Sequence, residues 1–120
     1  MPSAAEHELK SEHNWSFVSF VEGGSTSFDD WVVTGLFYVA VHQVERLLAK
    51  KANKHCHTHG ARNKWLATLS DFKPIWKDYR ELQYLSETAR YGASGLIGAS
   101  EVSDAKACLH TIEKQIKHCL

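Results

Sequence analysis

Only two prolines interrupt this 120-residue chain, Pro2 and Pro74, and hairpin turns of the Asn-Gly kind are absent. Without such turns a β architecture has little to build on. Cysteine is scarce and odd in number. Cys56, Cys108 and Cys119 are widely spaced, which excludes a disulfide framework and points to a reducing cytoplasm. Net charge is missing too: 14 Lys and Arg balance 14 Asp and Glu. No global basic field advertises nucleic acid, so any such binding must use a local patch. The segment "MPSAAEHELKSEHNW" lacks a basic region followed by an apolar run, so no signal peptide is expected. The longest apolar stretch, Trp31 to Val41, is interrupted by Thr34 and Gly35. It is too short to span a membrane, and no membrane partner is expected.

What the chain does have is helical spacing and histidine. Its length suits one domain over 1–120 with a single core. Leu9, His13, Phe17 and Val21 fall at four-residue steps and predict a first helix over 4–22. "EGGSTS" breaks it. "SFDD" then reopens a helix, with Ser27 as cap and Asp30 as its partner three residues on. From Phe28 to Lys51 the sequence is apolar on nearly every side, as expected of the central helix of a bundle. Thr58 is the expected cap of a third helix carrying Ala61, Trp65, Leu66 and Leu69. Pro74 suits the first turn of a fourth helix, whose face is Ile75, Tyr79, Leu82, Ser86 and Ala89. After the bend "YGASGLIGAS", Ser100 or Ser103 starts a fifth helix with Val102, Ala105, Leu109, Ile112 and Ile116. The fold expected is all-α: five helices with short connections in an antiparallel bundle.

Eight histidines raise the net charge between about pH 7 and pH 6. Three of them crowd into "HCHTH", residues 55–59. Imidazole and thiolate are zinc ligands, yet adjacent residues do not easily wrap one ion. Structural sites draw on two separated segments, and no second Cys-x-x-Cys or His-x-x-x-His occurs. The stretch reads as a polar connector, with no metal and no cofactor. His59 and Arg62, three apart near a helix start, share a face suited to phosphate.

The segment "DWVVTGLFYVAVHQVERLLAKK" resembles the signature helix of HEPN domains, with Phe37, Tyr38, Ala40 and His42 matching its aromatic pair, alanine and histidine. "HTHGARNKWLATL" is similar to the segment opening that family's next helix, with His59 in the histidine position. "LSETARYG" is similar to a later one, through Ala89, Arg90 and Tyr91. The likeness covers residues 28–118; the helix over 1–22 precedes it. The resemblance implies a small helical bundle, commonly a homodimer, that binds nucleotides or RNA, often beside a nucleotidyltransferase in toxin–antitoxin pairs. Many HEPN domains are metal-independent ribonucleases, and that branch carries Arg-x(4–6)-His. Here Arg46, Arg62, Arg80 and Arg90 are followed by no histidine at that spacing. Metal-free RNA cleavage needs a proton-transfer group and a cation for the phosphorane. The expectation is therefore a non-catalytic binding or interaction module, with a ribonuclease using a non-standard His/Arg site as the alternative.

The expected ligand-binding residues are His42, His59, Arg62, Arg90 and Tyr91. The plainer reading makes His42 a core histidine bonded to Tyr79 or Tyr91, and pairs Arg62 with Asp71 or Glu87. Trp31, Phe37, Tyr38, Trp65, Trp76, Tyr79 and Tyr84 are expected in the core, and Lys50, Lys51, Lys54 and Lys64 at a solvated helix end.

Overall fold

A computed structural model describes residues 1–24, 27–93 and 95–120; parts of the "EGGSTS" and "YGASGLIGAS" breaks therefore lie outside the described residues. The elements are α1 (Ala4–Glu22), α2 (Asp29–Ala52), α3 (His59–Thr68), a 3-10 segment (Ser70–Ile75), α4 (Trp76–Tyr91) and α5 (Ala99–Cys119). Among the described residues there is no strand. The chain is all-helical, with five helices, and α2 packs against α1, α4 and α5.

The helix ends follow their capping chemistry. Ser3 Oγ accepts from the Glu6 N–H at 3.1 Å, and the Glu6 carboxylate accepts from the Ser3 N–H at 3.3 Å, closing a capping box. Thr58 Oγ1 accepts from the Ala61 N–H at 3.1 Å and starts α3 as expected. Three starts differ from expectation. At α2 the cap position is Phe28 with no side-chain bond, and Asp30 instead accepts from the Trp31 N–H at 2.9 Å. Pro74 lies inside the 3-10 segment ahead of α4, where tighter winding carries the chain round the corner. At α5 the cap is Gly98, whose N–H donates to Glu101 at 2.8 Å, so neither Ser100 nor Ser103 is needed. α2 ends at Asn53, which adopts the left-handed conformation (φ 52°, ψ 44°) that asparagine tolerates.

Val33, Leu36, Phe37, Val39, Ala40, Val44, Leu47 and Leu48 of α2 are fully buried, as an all-round apolar helix requires. α2 is long and apolar enough to cross a membrane, with 72% of its most apolar window buried within the protein. The faces of α4 and α5 are as expected: Ile75, Tyr79, Leu82 and Ser86 are buried, and so are Val102, Ala105, Leu109, Ile112 and Ile116. α1 departs from expectation. It runs over the expected residues, but it buries His7, Ser11 and Val18 while Leu9 and Phe17 are exposed. Two things turn it so. A Cβ on Gly35 would lie 2.8 Å from Val18 Cγ2, so the Val18 side chain packs directly onto the bare glycine backbone. Beside that contact, Ser11 Oγ donates to the Val39 carbonyl at 3.3 Å and Gln43 donates to Ser11 Oγ at 3.2 Å. Trp31 and Tyr84, expected in the core, are exposed.

Candidate functional site

Glu45 is the acidic residue on the buried surface of α2, only 1% exposed. A carboxylate in that position must be matched by cations or donors. Arg62, on the first turn of α3, supplies the cation: its Nε donates to Glu45 Oε1 at 2.7 Å. The Cys56 N–H donates to Glu45 Oε2 at 3.1 Å, and His55 Nδ1 lies 3.2 Å from the same oxygen. Arg62 is itself buried. Its Nη2 donates to the Cys56 carbonyl and its Nη1 to His59 Nδ1, each at 3.1 Å. Arg62 thus pairs with Glu45, not with Asp71 or Glu87, and serves to lock the connector and the start of α3 onto α2.

That lock sets a tautomer. Guanidinium groups only donate, so His59 Nδ1 accepts and its remaining hydrogen sits on Nε2. Burial first, then the Arg62 and Arg90 charges, hold the His59 pKa below its ordinary value. His59 is therefore neutral at pH 7, with an Nε2–H to offer.

Arg90 reaches the same region from the end of α4. Its Nη1 donates to the Tyr38 hydroxyl at 2.7 Å. The guanidinium lies 5.9, 5.5 and 5.4 Å from the ring centres of Phe37, Tyr38 and Tyr91. Such aromatic contacts suit a weakly hydrated cation. Its Nε is buried and, among the described residues, has no hydrogen-bond partner. The His59 ring is 5.5 Å from Phe37 and 6.4 Å from Tyr38. Of the residues expected at a site, His59 and Arg90 therefore meet around Phe37 and Tyr38. Tyr91 flanks Arg90 and is exposed, while Arg62 stands behind His59. Arg90 also borders a cavity of about 520 Å³ at the start of α2, where Asp29 and Asp30 face it.

His42 lies one helical turn beyond Tyr38. It is bonded neither to Tyr79 nor to Tyr91: its Nδ1 is 2.9 Å from His7 Nδ1. Burial, and after it the neighbouring His7, Lys10 and Arg62, push its pKa down to about 4. Tyr38 and His42 line one side of a groove of about 330 Å³ between α1 and α2, completed by Lys10, Asn14, Phe17, Trp31, Thr34 and Gly35. Three aromatic walls and a basic end are thus continuous, through Tyr38, with the His59–Arg90 ledge. Lys50, Lys51, Lys54 and Lys64 are all exposed.

Sequence reasoning missed two members of these clusters, His7 and Glu45, and gave two others different places, Tyr38 in the core and His55 in a polar connector. Glu45 carried a usable signal, because it stands one turn from Val41 and Leu48 on a helix apolar on nearly every side. His7 carried none, since its partners are 35 and 48 residues away. Comparison of the chain with protein-family models, curated proteins and solved structures gave no match.

Proposed function

We propose that the chain is a HEPN-like module, an antiparallel bundle that binds a nucleotide or RNA through its phosphate without cleaving it. The observation that carries this reading is the convergence of His59 and Arg90 on the rim of Tyr38. The Nε2–H of His59 and the guanidinium of Arg90, whose Nε lacks a partner, give an anion two directed donors. The groove on the other side of Tyr38, walled by Phe17 and Trp31 with Lys10 and His42 at its end, suits a stacked base. Tyr91 extends the aromatic surface beside Arg90.

The tautomer of His59 favours binding over catalysis. A general base needs a free lone pair, and the one His59 possesses is taken by Arg62. The ribonuclease alternative would require that bond to break first.

Titrating the protein with nucleoside monophosphates and a short single-stranded RNA, read by calorimetry, tests the proposal. Arg90→Ala and His59→Ala are each expected to weaken binding about tenfold, as loss of a charge-assisted or well-placed hydrogen bond does. Ligand binding indifferent to both substitutions would sink it. RNA incubated with the protein and chelator is expected to remain intact; cleavage abolished in His59→Ala would put the enzyme reading in its place.

Homodimerisation belongs to the same proposal, supported by the exposed Phe20 and Phe28 outside that groove. So does a nucleotidyltransferase partner of the toxin–antitoxin kind, for which the resemblance is the support. Three unpaired thiols agree with a cytoplasmic setting.

A further inference from the structure

His7, His55 and Glu45 form a cluster at the junction of α1, α2 and the connector, apart from the His59 and Arg90 donors. His7, on α1, is 2% exposed and Glu45, on α2, is 1% exposed; His55 projects from the connector and is half-buried. One ligand atom from each lies within 4.8 Å of the others. We propose that His7, His55 and Glu45 bind one divalent transition-metal ion, zinc in the first place, with a further coordination position left for water.

Two of the three spacings suit such an ion, and the third pair, His7 and Glu45, within 4.8 Å of each other, closes on the ion by small side-chain rotations. Bonds of about 2.0 to 2.1 Å in a tetrahedral centre place neighbouring ligand atoms about 3.3 Å apart. His7 Nε2 lies 3.2 Å from His55 Nδ1, and His55 Nδ1 lies 3.2 Å from Glu45 Oε2. The rings of His7 and His55 are stacked, 5.2 Å between centres and 20° between planes, so both nitrogens border one small volume. The ligands come from three separated segments, which the "HCHTH" run alone did not offer.

The groups around the ligands are arranged as a metal site needs. His7 points its other nitrogen at His42, with Nδ1 to Nδ1 2.9 Å apart. If His7 Nδ1 donates there, its Nε2 lone pair is free for the ion, the usual role of a histidine ligand's outer partner. Arg62 holds Glu45 Oε1 at 2.7 Å, which directs Oε2 towards the imidazoles. Without an ion, one hydrogen on His55 Nδ1 must serve both Glu45 Oε2 and His7 Nε2. An ion in its place requires His55 Nδ1 to present a lone pair, with the ring hydrogen on Nε2. The positive charge of Arg62 opposes the ion, so binding rests on the imidazole bonds; calcium and magnesium, which prefer oxygen ligands, are not expected to compete.

The experiment is a titration of chelator-treated full-length protein with Zn²⁺ by calorimetry and with Co²⁺ by visible absorption. One ion per chain is expected, with a rise in melting temperature on adding Zn²⁺ and none on adding Mg²⁺. His7→Gln is expected to lower affinity about 100-fold, and His42→Gln about tenfold through the outer partner. His57→Ala is expected to leave binding unchanged. If His7→Gln loses its helical circular dichroism, His55→Gln on the half-buried connector decides by the same 100-fold criterion. Absence of saturable binding would overturn the proposal. So would binding lost in His57→Ala yet kept in His7→Gln and His55→Gln, which would mark surface capture by the connector alone.

Discussion

α1 and α5 are nearly equal in length, 19 and 21 residues, and both pack against α2. α5 buries Val102, Ala105, Cys108, Leu109, Ile112 and Ile116, an apolar stripe at steps of three and four. α1 buries one aliphatic residue, Val18, together with His7 and Ser11, and leaves Leu9, Phe17 and Phe20 exposed. Hydrophobic burial holds α5 without demanding a particular orientation of each polar group. α1 is held by directed bonds and by the Val18 side chain seated on Gly35, so its position depends on geometry. A helix attached in this way is expected to open locally at lower cost than one set into the core.

The largest expected effect breaks the α5 side. Ile112→Ala should destabilise the whole chain by about 2–5 kcal/mol, through lost burial and the cavity left behind. Chemical denaturation with a single transition checks it; a loss below about 1 kcal/mol would show that α5 is not the main anchor. Gly35→Ala strikes the α1 side. A methyl there meets Val18 Cγ2 at 2.8 Å, and overpacking of this kind costs about 1–3 kcal/mol. Val18→Ala in the same chain should recover part of that loss. Additive losses in the double variant would contradict the close approach.

Acid should sharpen the contrast without mutation. The His42 pKa falls from 6.5 to about 4 on folding, chiefly through burial, and that of His7 is lowered by the same cause. His42 is neutral in the folded state at pH 5, and folded His7 holds a proton less readily than the unfolded chain, which takes up both protons below about pH 6.5. More protons on the unfolded chain means that stability falls as pH drops from 6.5 towards 4, and that these groups change nothing above 6.5. Hydrogen exchange on chelator-treated protein at pH 7.5 and pH 5 should show α1 amides losing protection before those of α5. Equal loss along both helices would count against it. The smallest effect belongs to Ser11→Ala, which removes the bond to the Val39 carbonyl and should cost about 0.5–1.5 kcal/mol by denaturation. A change outside that range would mean that the α1 seam is held by something else.

The same contrast divides what could be read from the chain. α4 and α5 announced their buried faces, though not their first residues, because apolar residues at helical spacing report directly which side must leave water. α1 announced its extent alone. Its apolar residues at four-residue steps, Leu9, Phe17 and Val21, suggested a face that is exposed at Leu9 and Phe17. The bonds that override that pattern depend on Val39, His42 and Gln43 in another helix. At the candidate site, His59, Arg62 and Arg90 were recognised as residue types suited to an anion. The division of labour among them was not: Arg62 is consumed by Glu45, and this alone fixes which nitrogen of His59 faces outwards.

By itself the sequence determined five helices and the central place of α2, because helix periodicity is settled among residues a few positions apart. Only the tertiary structure decided that His7 meets His42 and His55 across 35 and 48 residues, and that Arg62 closes on Glu45. Imidazole and guanidinium groups carry no periodic signal, and their partners are chosen by where packed backbones bring them.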